Sequence, residues 1–319
     1  MIKINNIFSG TIVLLLFLNC DINVETIKLN KVAISQNFEI GKKYLYEIQR
    51  EKIDSRKPGS EKIKSFTEVE FKILAQKKLF KECSWKYGTT KINGVNADQI
   101  DEQTKKMINI YKGLEVKFLI DKDGVIQEIT NFEECKLILE TCFDEMIKIM
   151  ISSSQTKITQ EKVSNIKKSF KSTYESSEVL ISTYCPELTV FFTIFGESFK
   201  PDSLYISHSD LPNPFGGRSF PTNITTKIDT VTDNFVLIKS NQIIPTTELN
   251  SIMKETIEKI STLSDKPVNG SKIPKFNLII NSTYNFNHKK NILEQVYSEK
   301  LIESDGVKQK QTIRVILKN

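Results

Sequence analysis

Apolar and polar residues alternate along most of the chain from Phe38 onward. Tyr44, Tyr46 and Ile48 are separated by polar neighbours, and the same period of two recurs in many later segments. This period places successive side chains on opposite faces of a strand. Further predicted strands cover residues 69–73, 85–87, 116–120, 125–129, 225–228, 235–244, 276–286, 292–302 and 309–317. The pattern predicts an antiparallel meander with one face in water and the other against a core.

Other segments change to a period of three and four, which is typical of amphipathic helices. The first follows Asn131, with Glu134 at the capping-box position; a second covers residues 157–174, and a third begins at Thr247. The apolar run 188–195 predicts a buried strand or a short helix, inside an otherwise irregular region. We therefore predict an α+β fold, with one or more curled antiparallel β-meander sheets packed on two or three amphipathic helices.

The N-terminus has the pattern of an export signal. Its uncharged apolar stretch, Ile7–Leu18, is shorter than the roughly 20 residues that span a bilayer and suits a signal peptide. The following Leu16–Cys20 (LFLNC) resembles a bacterial lipobox, in which the cysteine becomes the lipidated first residue. We expect a signal peptide at 1–19, a lipidated N-terminus and tether at 20–37, and a single α+β domain at 38–319. A plain signal peptide with an incidental cysteine, or an uncleaved anchor, are the alternatives.

The remaining cysteines suggest disulfides, because an exported protein meets an oxidising compartment. The four candidates are Cys83, Cys135, Cys142 and Cys185. On one helix, Cys135 and Cys142 would lie roughly 10.5 Å apart, beyond the roughly 7 Å between Cα atoms that a disulfide allows. Each is therefore expected to pair with Cys83 or Cys185, in either assignment. Four buried thiols are the alternative.

Charge and composition exclude several classes of protein. The 319 residues include 45 Lys+Arg and 39 Asp+Glu, interspersed along the chain, with 39% hydrophobic residues. A disordered chain would have fewer apolar residues, and a nucleic-acid-binding surface would cluster its basic residues. We therefore expect no nucleic-acid partner.

No known catalytic motif is found. The segment 195–199 lacks the closing glycine of a nucleophile elbow, and neither a phosphate-binding loop nor a dinucleotide-binding glycine pattern occurs. With 2 histidines in the chain, there is little material for a triad or a histidine metal site. We therefore name no catalytic residue, metal site or cofactor.

One loop is a candidate ligand-binding site because proline, glycine and asparagine are concentrated in it. Its residues of interest are Asn213, Phe215, Gly216, Gly217 and Arg218. A glycine pair followed by a cation can form a backbone nest for phosphate or carboxylate. A glycine turn with an exposed arginine is the alternative.

Several of these features together resemble an uncharacterised family of bacterial exported lipoproteins defined by a domain of unknown function. They are the lipobox, the opening strand 40–46, the Asp-x-x-Gly hairpin at 118–129, the Pro-Asn-Pro-Phe-Gly-Gly loop at 212–217 and the terminal hairpin. The resemblance implies export and an α+β fold, and it brings no activity or catalytic residue.

The sequence thus favours a lipid-anchored cell-envelope protein that acts as a non-enzymatic binding or structural protein. Its expected partners are the membrane, through the anchor, and a hydrophobic ligand or an envelope protein. We favour the outer membrane or cell surface over the inner membrane. The alternative is a secreted hydrolase or transferase that uses carboxylates which no motif reveals. Two convergent acidic side chains in a pocket, with perturbed pKa values, would indicate that alternative.

Overall fold

One long antiparallel sheet organises the chain. The computed structural model describes residues 31–54, 63–93, 95–96, 112–153, 160–161, 163–164, 167, 176–213, 217–263 and 274–318. The strands are β1 (Val32–Ala33), β2 (Lys43–Asp54), β3 (Ile63–Lys77), β4 (Phe80–Ile92), β5 (Val95–Asn96), β6 (Glu115–Ile120), β7 (Ile126–Ile129), β8 (Ser198–Phe199), β9 (Leu204–Leu211), β10 (Phe220–Val231), β11 (Phe235–Ile243), β12 (Phe276–Asn287), β13 (Ile292–Ser304) and β14 (Val307–Leu317). The described helices are α1 (Phe132–Ser153), α2 (Ser177–Tyr184), α3 (Pro186–Phe192) and α4 (Thr246–Leu263).

Strands β2 and β14, the first and last strands of the large sheet in chain order, pair in its middle. Its strand order is β7-β6-β4-β3-β2-β14-β13-β12-β11-β10-β9, with β5 added beside β4. Ile48 of β2 lies opposite Val315 of β14, so the N-terminal and C-terminal meanders share one sheet. Together with the four described helices, this antiparallel sheet confirms the predicted α+β class. Within the described residues β7 and β9 form opposite edges of an open sheet, and the predicted curling is not confirmed.

The inner face of the sheet carries the main hydrophobic core. We call inner the face to which Tyr46, Phe71 and Trp85 point, all of them buried. Helix α3 covers these side chains, and the Phe191 ring lies 5.1 Å from the ring of Tyr46 and 5.6 Å from that of Trp85. Phe192 packs edge-on against Phe118 at 5.3 Å. Buried aromatic side chains of this size dominate the energetics of a core.

The apolar run after Cys185 forms helix α3, which settles the choice between a strand and a helix. Pro186 occupies the first turn of this helix, where its missing N–H has no helical partner to lose. Leu188, Phe191 and Phe192 are buried on one side of the helix. The spacing of these three residues fits the helical period and not the period of two.

The start of the described chain also belongs to the core. Ile34 and Phe38 are buried, β1 pairs with β8, and Phe38 meets Phe71 at 4.8 Å. Val32 and Ile34 lie within the segment 20–37, for which the sequence predicts a tether, so close packing begins by Val32. Most of the predicted helix 157–174 lies outside the described residues, and its described positions are helical.

A second, smaller hydrophobic cluster lies under α4. Phe220 and Ile244, at strand ends, are buried with Leu249 and Ile252 of the helix. None of the described helices combines the length and apolar character needed to cross a membrane.

Candidate functional site

An apolar cleft lies between strand β7 and helices α2 and α3. Its volume is about 290 Å³, close to the lower end of the range of roughly 300–1,000 Å³ for small-molecule sites. The apolar side chains of the lining are Val125, Ile126, Ile129, Ile181, Phe192 and Pro212. Serine, threonine, glutamine and glutamate side chains complete the lining. An apolar surface with a few polar groups suits a small hydrophobic molecule.

The β6–β7 hairpin forms one wall of the cleft, and a tight turn fixes its position. Asp121 Oδ1 accepts hydrogen bonds from the backbone N–H groups of Asp123, Gly124 and Val125, at 2.9, 2.9 and 3.0 Å. Gly124 has φ +98°, and a Cβ at this position would lie 2.8 Å from Cβ of Phe195. Only glycine has both the backbone freedom and the small size that this contact requires. The hairpin predicted at 118–129 is thus confirmed, and it packs closely beside α3.

The rim of the cleft is acidic. Glu128 comes from β7 and Glu178 from the first turn of α2, where Ser176 caps the helix by accepting from Val179 N–H at 3.3 Å. Hydrogen bonds from its own backbone N–H and from Ser176 lower the pKa of Glu178, so its carboxylate is ionised at neutral pH. The described residues that line the cleft include no lysine, arginine or histidine. The electrostatic potential at the cleft therefore disfavours anionic ligands.

A buried ionic cluster holds α3 against the inner face, next to the main core. Glu187 of α3 is 0% exposed, and its Oε2 lies 2.7 Å from Nη2 of Arg50 on β2. Tyr87 of β4 donates its hydroxyl hydrogen to Glu187 Oε1. Burial raises the pKa of Tyr87 well above its usual range, so the phenol stays protonated and remains a donor. Three separate elements therefore meet at one carboxylate, which sequence reasoning missed.

The four described cysteines form no disulfide among themselves in this structure. Cys83 faces the core from β4, Cys135 and Cys142 lie on α1, and Cys185 joins α2 to α3. Cys135 Sγ instead contacts Asn131 Oδ1 at 3.5 Å and the carbonyl of Glu115 at 3.6 Å. Burial raises the pKa of the Cys135 thiol to about 11, and it also raises those of Cys83 and Cys185. Such thiols are poor nucleophiles at neutral pH.

The described ends of the candidate loop are tied to helix α4. Asn213 is buried and donates from Nδ2 to Thr256 Oγ1 at 3.0 Å. Arg218 Nη2 lies 3.2 Å from Glu255 Oε1, and its Nη1 lies 3.9 Å from Glu248 Oε2. Gly217 has φ +92°, and Phe215 and Gly216 lie outside the described residues, as does the lipidation candidate Cys20. The charge of Arg218 is thus already offset by two glutamates.

A polar groove of about 400 Å³ lies on the outer face of the sheet, across β3, β2, β14 and β13. Glu51 lines this groove and pairs with Lys64 at 3.9 Å, and Glu299, outside the lining, pairs with the lining residue Lys310 at 2.5 Å. The bond to Lys310 lowers the pKa of Glu299. A general acid at neutral pH needs a raised pKa, so Glu299 does not fit that role.

The described residues also contain no group of three or more His, Cys, Asp or Glu side chains placed to hold a metal ion.

Comparison with solved structures gives a weak structural similarity, and comparison by sequence gives none. No protein-family model and no curated protein matches the sequence. Among solved structures, one described as lipid–protein interactions in lipovitellin is similar with a TM-score of 0.42 and 10% sequence identity. The match covers 89% of this chain and 26% of that one, so this chain spans about a quarter of the length of the lipovitellin chain.

Proposed function

We propose that this protein binds a small, mostly apolar ligand in the cleft between β7, α2 and α3. The observation that carries the proposal is the apolar lining of that cleft, formed by Ile126, Ile129 and Ile181 together with Phe192. Removing apolar surface from water contributes roughly 25 cal/mol per Å². The threonines and serines at the edge supply the few polar contacts that orient a ligand.

The charge of the rim narrows the class of ligand. Glu128 and Glu178 are the charged residues among the described lining, and an anionic head group placed beside them would be repelled. The ligand that fits is therefore neutral or cationic.

A fluorescent, neutral aromatic probe, N-phenyl-1-naphthylamine, tests this proposal. Thr189 of α3 lines the cleft with its side chain exposed, so Thr189→Trp fills the cleft without disturbing the core. We expect this variant to bind the probe at least about tenfold more weakly than the unchanged protein. The matched control is Thr141→Trp, at an exposed threonine of α1 away from the cleft. Equal probe affinity in both variants and the unchanged protein would contradict the proposal.

We also propose that the mature protein is exported and held at the bacterial cell envelope by a lipid on Cys20. The support is the apolar stretch 7–18 followed by the lipobox-like Leu16–Cys20. Mass spectrometry of the protein purified from its own membranes tests this. A mass that begins at Cys20 and includes acylglyceryl groups is expected, and an unmodified Cys20 would contradict it.

A further inference from the structure

A band of polar side chains crosses the inner face between the two hydrophobic clusters. One row of it runs through Ser298, Ser282, Ser240 and Thr226, which lie opposite one another on β13, β12, β11 and β10. Ser282 and Ser298 are buried and share a hydrogen bond of 3.0 Å, and Thr226 donates to Ser240 at 3.2 Å. Polar residues on a core-facing side break the local pattern, which is expected where a function requires them.

The next row of the band is basic. Lys52 on β2 lies opposite Gln311 on β14, and Gln311 lies opposite Lys300 on β13. Neighbouring strands are roughly 4.8 Å apart, so this row places two ammonium-bearing residues on either side of one amide. Arg50 belongs to the preceding row, the one that contains Ser298, and its guanidinium pairs with Glu187.

Lys300 lies in an unusual environment for a lysine. It is half-buried, lies opposite Ile280 of β12, and shares its face of β13 with Ser298 and Ile302. Burial lowers its pKa, and no carboxylate acts against that shift. Within the part of the chain that the structure describes, neither Lys300 nor Lys52 forms an ion pair. A desolvated ammonium without a counter-charge is costly, and a bound anion would remove that cost.

We propose that the row Lys52–Gln311–Lys300 binds the oxyanion head of an anionic amphiphile, a carboxylate or a phosphate ester, whose apolar part lies against Ile280 and Ile302. The two ammonium groups supply charge, and the Gln311 amide between them supplies a further donor. The isoleucines that flank Lys300 provide the apolar contact surface. This site differs from the acidic cleft in place and in charge, and it does not rest on ligand binding there.

Isothermal titration with ten-carbon probes below their micelle concentration tests the proposal. Decanoate and decyl phosphate carry the two oxyanions, and decanol is the neutral control of equal chain length. We expect at least one anion to bind, and Lys300→Met to weaken that binding by about tenfold or more. Lys300→Arg retains binding, and decanol affinity is the same in all of these proteins. The tighter of the two anions identifies the head group.

Three further variants make the result unambiguous. Lys86→Met removes an exposed lysine of β4 and is expected to leave anion binding unchanged. Lys52→Met, also at an exposed position, weakens anion binding and replaces Lys300→Met as the test if that variant fails to fold. Thr189→Trp, which fills the cleft, leaves anion binding unchanged. Failure of the unchanged protein to bind either anion, or unaltered anion affinity in both Lys300→Met and Lys52→Met, would overturn the proposal.

Discussion

Glu187 Oε2 lies 2.7 Å from Arg50 Nη2, and the other oxygen of the same carboxylate accepts a hydrogen bond from Tyr87. This contact joins α3 to β2 and β4 across the base of the main core. A fully buried carboxylate is tolerated only when its charge and lone pairs are compensated. The cluster therefore adds to the aromatic packing that holds α3 in place, and α3 forms one wall of the cleft.

The first prediction concerns this cluster. Arg50→Met keeps most of the side-chain volume but leaves Glu187 buried without its counter-charge, so we expect a loss of about 3–5 kcal/mol in the free energy of unfolding. Urea denaturation measures this. The matched control is Arg314→Met, because Arg314 is exposed on the same sheet and donates to Gln295 at 3.1 Å; its effect is expected to stay within about 0.5 kcal/mol. A similar effect for both substitutions would show that the buried pair contributes little.

The second prediction concerns the turn of the hairpin that forms one wall of the cleft. Gly124→Ala places a methyl group 2.8 Å from Phe195 Cβ on a backbone with φ +98°, so strain and overpacking add. We expect a loss of roughly 1–3 kcal/mol or more, together with weaker binding of N-phenyl-1-naphthylamine. Gly306→Ala is the control, because Gly306 has φ +80° with nothing within 4 Å. It should show backbone strain alone and unchanged probe binding; an equal stability loss in both variants would contradict the close contact at Phe195.

The third prediction concerns thiol reactivity. The pKa of Cys135 is raised to about 11, and those of Cys83 and Cys185 are raised by burial. At pH 8 about one Cys135 in a thousand is a thiolate. We expect iodoacetamide to label these three residues slowly in the folded protein and rapidly in guanidinium chloride, as measured by mass spectrometry of peptides. Rapid labelling of Cys83 in the folded protein would contradict the burial.

The fourth prediction follows from the same pKa shifts. Folded thiols hold their protons more tightly than unfolded ones, whose pKa is about 8.5. The unfolded state therefore loses protons first as the pH rises, and this contribution to stability is complete below about pH 8.5 and declines above it. Urea denaturation between pH 7 and 10 measures the decline. Replacing Cys185 with alanine should flatten it, and an identical pH dependence in that variant would contradict the assignment.

Local patterning was sufficient to predict most of the strands. Tyr44, Tyr46 and Ile48 point to the core as their alternation predicted, and the hairpin after Phe118 forms as expected. Strand β9 was missed because it is an edge strand on which Leu204 and Ile206 are exposed, at 62% and 67%. The pairing of β2 with β14 was also missed, because a period of two gives the face of a strand but not its partner.

The buried ionic cluster around Glu187 and the proposed anion site at Lys300 were harder to predict, because their residues meet only in the folded chain. Glu187 adjoins the apolar run that was identified, yet its partner Arg50 is far away in sequence. The sequence did contain a signal for Lys300. Val296, Ser298 and Lys300 are alternate residues of β13 and therefore lie on the same face, and Val296 points to the core. A lysine is unexpected on the core-facing side of a strand.

We propose the cleft between β7, α2 and α3 as the binding site for an apolar ligand. The most direct test is to record amide chemical shifts of the ¹⁵N-labelled protein while N-phenyl-1-naphthylamine is added. We expect the largest changes at residues 126–129, 177–182 and 189–193, which include most of the cleft lining. Saturable changes concentrated on any other surface, or no saturable change at all, would contradict the proposal.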